Sequence, residues 1–231
     1  MIQITDQIAD IEERIDRTLD RSGRSGETVT IVAVSKRQPA TAVASAAAAG
    51  LRHFGENYLQ EAVEKISAVA NSGLNWHFIG QIQSNKTRSI AENFSWVETV
   101  DRARIADRLN DQRPDGLEPL NVLIQLNLDR EPQKGGIAAG ELLPLAEHIS
   151  ALPGLQLRGV MGMPPANFSP TQNRASFSAI AAEAAKLKSH GFAIDTISMG
   201  MSSDFELAIE CGSNCIRIGT ALFGPRMTNP N

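Results

Sequence analysis

Lys36 closes the apolar run Thr28-Val29-Thr30-Ile31-Val32-Ala33-Val34-Ser35, so its amine stands at a strand end, where sheets and barrels place their chemistry. At the mouth of an apolar pocket the charged form of a lysine is disfavoured, and the neutral amine condenses with aldehydes. A lysine that merely ends a strand in solvent is the other reading. The segment Arg217-Ile218-Gly219-Thr220-Ala221-Leu222-Phe223-Gly224 puts a glycine and a threonine just past a strand, where amides opening a short helix hold a phosphate dianion. Gly219 lets the backbone come close without a Cβ, and the Thr220 hydroxyl donates one more hydrogen bond. An ordinary strand end with a helix cap fits the same residues. Arg217, two residues before Gly219, shares its strand side and directs its guanidinium into the same mouth or into an internal ion pair.

These groups meet only if the elements gather them. Ile4, Ile8, Ile11, Ile15 and Leu19 recur at helical spacing, which predicts an opening amphipathic helix that ends near Gly23. Apolar runs at 29–35, 52–55, 76–80, 96–100, 122–127, 157–163, 196–201 and 215–220 then read as strands. Helix-like stretches at 40–49, 58–70, 85–93, 103–111, 139–151, 172–190 and 204–211 separate them. Strands alternating with helical crossovers predict an α/β chain with a parallel sheet, closed as a single (β/α)8 TIM barrel. With no repeat and no shift of composition, residues 1–231 read as one domain, the helix of residues 1–23 packed on the barrel. The irregular stretches 129–138 and 164–171 follow strands and belong to the same C-terminal face.

A chain of 231 residues with 42% hydrophobic content can bury a substantial core. Its net charge of -4 argues against nucleic acid or an anionic membrane as main partner. No run approaches the ~20 apolar residues of a membrane span and no secretory signal opens the chain, so a cytoplasmic protein is expected. Cys211 and Cys215 lack nearby histidines and read as buried thiols, with no metal site. Asn57, Lys86, Lys134, Met163, Ser202 and Ser203 also follow strands. Lys86, at a helix start, suits an anion. Lys65, Lys186 and Lys188 read as solvated helix faces. His77 reads as a satisfied barrel-lining imidazole, and His53, His148 and His190 as surface or packing positions. Tyr58 reads as packing with an exposed tip, and Asp204 and Glu206 as first-turn helix residues.

Six segments in this order, Ala33-Val34-Ser35-Lys36, Phe54-Gly55-Glu56-Asn57-Tyr58, Trp76-His77-Phe78-Ile79-Gly80, Gln83-Ser84-Asn85-Lys86, Ser198-Met199-Gly200-Met201-Ser202 and 217–224, closely resemble the pyridoxal phosphate homeostasis protein family, the YggS/PROSC type. The resemblance runs from about residue 5 to residue 226. It implies a fold-type III barrel, similar to the N-terminal domain of alanine racemase, with pyridoxal 5'-phosphate (PLP) held as a Schiff base on Lys36. It also implies that Ser202 joins Gly219 and Thr220 at the phosphate, with Ser203 as second choice. Asn57 would lie beside the ring, Arg217 opposite the pyridine nitrogen, and Lys134 in a loop that helps cofactor exchange. An arginine keeps its proton, so a ring nitrogen facing Arg217 stays unprotonated and the ring is a poor electron sink. The segments 80–83 and 161–164 vary on the family pattern without removing a proposed ligand.

Three functions compete on this reading. The first is a protein of intracellular PLP homeostasis that holds the cofactor and releases it to apo-enzymes with little turnover. The second is a PLP-dependent racemase or lyase. It is weakened by Arg217 and by the lack of a visible second base, which alanine racemase takes from an added β domain not expected before Asn231. The third is a cofactor-free aldolase that forms its Schiff base directly with a sugar phosphate. A monomer or a weak dimer suits any of them.

Overall fold

The computed structural model describes residues 3–69 and 73–224. Ala70, which ends the predicted helix over 58–70, and both ends of the domain read as 1–231 lie outside the described residues. The elements run α1 (Ile4–Arg21), β1 (Thr30–Val34), α2 (Ala40–Ala48), β2 (His53–Glu56), α3 (Leu59–Val69), β3 (Asn75–Phe78), α4 (Thr87–Asn93), β4 (Trp96–Val100) and α5 (Ala103–Asp111). They continue through β5 (Leu120–Leu126), α6 (Leu142–Ser150), β6 (Leu155–Gly162), α7 (Pro170–Ser189), β7 (Thr196–Met201), α8 (Phe205–Glu210), β8 (Cys215–Ile218) and α9 (Thr220–Phe223). All eight strands pair in parallel and in chain order, and β8 pairs back onto β1, which closes a (β/α)8 barrel. Helical crossovers force the parallel arrangement, and the helices then cover the outer face of every strand.

Two apolar layers hold the barrel. The larger lies between strands and helices, with Phe54, Ile90, Leu109, Ile124, Phe177 and Ile216 among its fully buried members. A smaller one, Trp96, Leu123 and Met161, fills the barrel interior below the mouth. Ile8, Ile11, Ile15 and Leu19 of α1 are buried against the barrel, each side chain stabilising by roughly 1.5–3 kcal/mol. The neighbours of α1 are α8, α9 and α2, so this helix braces the ring where β8 closes onto β1. Arg24 ties the segment after it to the carbonyls of Ile209 and Ser213 at 2.5 and 3.2 Å.

Element ends shift where local chemistry overrides the apolar pattern. The helix predicted from 172 begins at Pro170, because Ser169 caps it and proline suits the first helical position. The helices predicted from 85 and from 139 open as single 3-10 turns, Ser84–Lys86 and Ala139–Glu141. The strand predicted over 215–220 stops at Ile218, where Gly219, with φ -114° and ψ -79°, turns the chain into α9.

Candidate functional site

The C-terminal ends of β1, β2, β7 and β8 surround a cavity of about 340 Å³. In the ladder Val34 stands beside Gly55, and Val32 beside Arg217. By that register Gly219 stands beside Val34, two residues before Lys36, so both residues reach the same mouth. Lys36, Asn57, Ser202, Ser203, Arg217, Gly219 and Thr220 all line this cavity. Ile79, Met161, Met163 and Met201 give it an apolar wall, and Gln38, not singled out from sequence, lies at its edge.

The polar end lies between β7 and β8. The Ser202 hydroxyl accepts from the Ala221 amide at 3.3 Å and so ties the loop after β7 to the first turn after β8. Gly200 makes that loop possible. Its φ is 96°, and a Cβ there would stand 2.6 Å from the Ala208 methyl, so only glycine lets α8 close in and aim Ser202 and Ser203 at the cavity. Because α9 has only four residues, an anion here would be gripped by local amides and hydroxyls more than by a helix dipole.

Arg217 forms the floor. Its guanidinium donates to Ser198 Oγ at 2.5 Å and to the Gly162 carbonyl at 3.1 Å, and lies 3.7 Å from the fully buried Glu98. Arg217 is thus ion-paired inside the barrel and also lines the cavity. Glu98 accepts from Ser198 at 2.6 Å and contacts His77 Nδ1 at 2.7 Å. Burial opposes its charge, but the hydrogen bond and charge of His77, the charge of Arg217 and the Ser198 hydroxyl outweigh burial and hold its carboxyl below the usual range. His77 Nε2 in turn meets His53 Nδ1 at 2.8 Å, and the His77 ring stacks on Trp96. His77 is thus the satisfied interior imidazole expected, inside a polar chain that runs from His53 to Arg217.

Asn57 is seated by a close approach. A Cβ on Gly80 would lie 2.2 Å from the Asn57 carbonyl oxygen, so Gly80 lets the segment after β3 press against Asn57. The Asn57 Oδ1 is shielded from solvent without a hydrogen-bond partner, which leaves a polar group at the cavity wall for a ligand to satisfy.

Lys65 overturns the expectation of a solvated helix face. It is 5% exposed, and its Nζ donates to the Ser35 carbonyl at 2.6 Å, to Glu56 at 2.7 Å and to Glu61 at 2.6 Å. Ala62, Lys65 and Val69 share one stripe of α3, and that stripe faces the ends of β1 and β2. Burial raises the Glu56 carboxyl above the usual range, and the Lys65 and Ser35 hydrogen bonds offset this only in part.

Two predicted lysines stand outside the cavity. Lys86 lines a neighbouring groove of about 920 Å³ that shares Asn57 with it. Lys134 donates to the carbonyls of Met163 and Pro164 at 3.3 and 2.9 Å and pairs with Glu131, so it clasps the loop that carries Met163 over the rim. Cys215 is buried, and burial pushes its thiol up, but Cys211 is only half-buried because it caps α8 beside Ser178 and Arg174 at the surface. Among the described residues no group of three or more His, Cys, Asp or Glu side chains could hold a metal ion, and no helix is long and apolar enough to cross a membrane.

The profile of the alanine racemase N-terminal domain matches residues 8–227. Proteins of Pseudomonas aeruginosa and Escherichia coli K12, both named pyridoxal phosphate homeostasis protein, are 52% and 48% identical to this chain. Each match covers 98% of this chain and 97% or 98% of the relative. PipY of Synechococcus elongatus PCC7942, solved with PLP bound, is 34% identical with a TM-score of 0.85, over 96% of this chain and all of that one. Alanine racemase of Corynebacterium glutamicum, at 18% identity and a TM-score of 0.68 over 96% of this chain and 61% of that one, shares the fold. With the alanine racemase-type barrel and these full-length relatives together, the chain belongs to the pyridoxal phosphate homeostasis protein family.

Proposed function

We propose that this chain binds pyridoxal 5'-phosphate in the cavity at the barrel mouth, with Lys36 as its covalent anchor, and serves intracellular PLP homeostasis by holding the cofactor and releasing it to apo-enzymes. The observation that carries the reading is the opening of Lys36 and of the Gly219–Thr220 turn into one cavity, on strands that pair directly. Residues and group fit in kind: an amine, a cluster of small hydroxyl and amide donors, a guanidinium, an unsatisfied carboxamide and an apolar wall.

When bound, PLP supplies an aldehyde that amines attack and a ring that draws electrons. Lys36 is assigned the attacking amine. Ser202, Gly219 and Thr220, with Ser203 behind them, are assigned the phosphate, and Asn57 the ring edge. Arg217 is assigned the ring nitrogen, where its anchorage to Ser198, Gly162 and Glu98 keeps it a donor and deprives that nitrogen of a proton. This restrains carbanion chemistry and suits a holder of the cofactor better than a catalyst. Lys134, by clasping the Met163–Pro164 turn, is assigned a part in cofactor exchange, and Lys86 a part in attracting an anionic partner to the adjoining groove.

The test is spectroscopic. Purified protein mixed with PLP is expected to turn yellow, absorbing near ~420 nm, and borohydride to fix the adduct on a Lys36 peptide. A protein that stays colourless and cannot be loaded overturns the reading. Loaded protein is then expected to restore activity to a PLP-dependent apo-enzyme and to exchange the Cα hydrogen of alanine slowly in deuterium oxide. Fast exchange would favour a racemase instead.

A further inference from the structure

We propose that Lys65 is a positioning residue for Lys36, which directs the Lys36 side chain by holding the two peptide planes that flank it, the first directly and the second through Glu61. This rests on the reading of Lys36 as the covalent anchor. The course of a side chain is set by the φ and ψ of its residue, and so by the peptide units on either side. The Ser35 carbonyl belongs to the unit before Lys36 and the Arg37 amide to the unit after it. The Ser35 carbonyl accepts from Lys65 Nζ at 2.6 Å and from the Gln38 amide at 2.9 Å. The Arg37 amide donates to Glu61 Oε1, the oxygen that also accepts from Lys65 Nζ at 2.6 Å. The third Lys65 contact, to Glu56 Oε1 at 2.7 Å, meets the oxygen that takes the Ser35 hydroxyl at 2.6 Å. One ammonium thus directs its three N–H bonds to three groups that define the end of β1.

Two further observations make this more than packing. The turn from Ser35 to Gln38 carries Arg37 at φ 62°, a left-handed conformation that a non-glycine residue adopts at a cost and keeps only where its surroundings over-determine it. The cluster is also buried, with Lys65 5% and Glu56 0% exposed. Stability alone gives little reason for buried charges, since apolar residues of the same volume commonly hold a fold as well or better. A turn forced into one conformation next to a reacting amine gives such a reason, because covalent capture requires the amine to be held in an attacking geometry.

The test separates covalent capture from plain affinity. With PLP, Lys36 Nζ adds to the aldehyde carbon, the aldehyde oxygen leaves as water and a C=N bond forms. Pyridoxine 5'-phosphate carries an alcohol in place of the aldehyde and reports the ring and phosphate contacts alone. Lys65→Met is expected to slow formation of the borohydride-fixable Lys36 adduct tenfold or more, and Glu61→Ala threefold or more. Pyridoxine 5'-phosphate affinity should stay within twofold of wild type in both. Wild-type adduct rates in folded Lys65→Met protein, or equal losses of affinity for both ligands, overturn the assignment. If Lys65→Met does not fold, Glu61→Ala decides on the same two readouts, its carboxylate being 27% exposed and outside the core. A wild-type protein that takes up neither ligand overturns the reading of the cavity instead, a result distinct from either failure above.

Discussion

Arg217→Met removes the cation from a charge pair sealed inside the barrel. Glu98 is 0% and Arg217 4% exposed, with 3.7 Å between carboxylate and guanidinium. At an effective dielectric of ~20, unit charges at that separation attract by roughly 4–5 kcal/mol. Truncating one member of a buried pair costs about 3–5 kcal/mol, since the survivor keeps its burial without its counter-charge. Glu98 would still accept from Ser198 and still meet His77, which places the expected loss near the lower end, about 3–4 kcal/mol. For a chain of this length that lowers Tm by roughly 6–16 °C. Urea melts followed by circular dichroism, on protein stripped of ligand so that cofactor affinity does not enter, measure the loss directly. The double variant Glu98→Gln/Arg217→Met, which removes both charges, is expected to recover at least half of it. Simple additivity of two small losses, each under about 1 kcal/mol, would refute the coupled pair.

Gly219→Ala is expected to leave stability unchanged while PLP affinity falls about tenfold, or about 1.4 kcal/mol. Its Cβ would meet only Val34, at 3.5 Å or more, yet would stand on the cavity wall to which the phosphate is assigned; unchanged affinity by fluorescence titration would show the phosphate to be elsewhere. Gly80→Ala, by contrast, drives a methyl to 2.2 Å from the Asn57 carbonyl, so a loss of about 1–3 kcal/mol in urea melts and weaker PLP binding are expected together. Burial, reinforced by neighbouring His77, lowers the His53 pKa from 6.5 to about 4. Between those values the unfolded chain holds the extra proton, so this group's contribution is complete above about pH 6.5 and is lost as pH falls toward 4. Allowing for partial solvent access, the loss is on the order of 1–2 kcal/mol, and His53→Gln should narrow the gap between urea midpoints at pH 7 and pH 4.5. A gap of wild-type size in that variant would assign the acid sensitivity to other groups.

What could be read ahead of the structure was what depends on chain order. Strands separated by helices close a parallel barrel, so Lys36, Asn57, Ser202, Arg217, Gly219 and Thr220, each at or just past a strand end, had to share one rim. What depends on side-chain direction was harder. Glu98 lay within a run correctly read as a strand, and a carboxylate in a strand covered on both faces needs an internal partner, yet neither Arg217 nor His77 is near it in sequence. Lys65 shares its stripe of α3 with Ala62 and Val69, which could have placed it inside; the surrounding glutamates suggested solvent because their own partner, the end of β1, comes from another element. Lys134 and Lys86 follow strands as expected, but their loops and turns carry them past the rim to the carbonyls of Met163 and Pro164 and to the adjoining groove.

The cavity rests on two buried charge clusters that touch different parts of it. Lys65, Glu56 and Glu61 brace the end of β1 beneath Lys36, while Glu98, Ser198 and Arg217 support the floor between β4, β7 and β8. Residues outside both clusters, Ser202, Gly219 and Thr220, form the polar end. Under the assignments proposed above, attachment through an amine and retention through an anion grip therefore depend on separate supports. On the proposed function that separation is useful: with Lys36 as covalent anchor, breaking its bond would leave the ligand held at its phosphate, and release would then require only the weaker grip to open. Variants of the Lys65 cluster should accordingly slow capture at unchanged affinity, and variants of Ser202, Gly219 and Thr220 should weaken affinity at unchanged capture. A set of variants in which the two quantities always moved together would mean that the mouth acts as one unit and that the division drawn here is wrong.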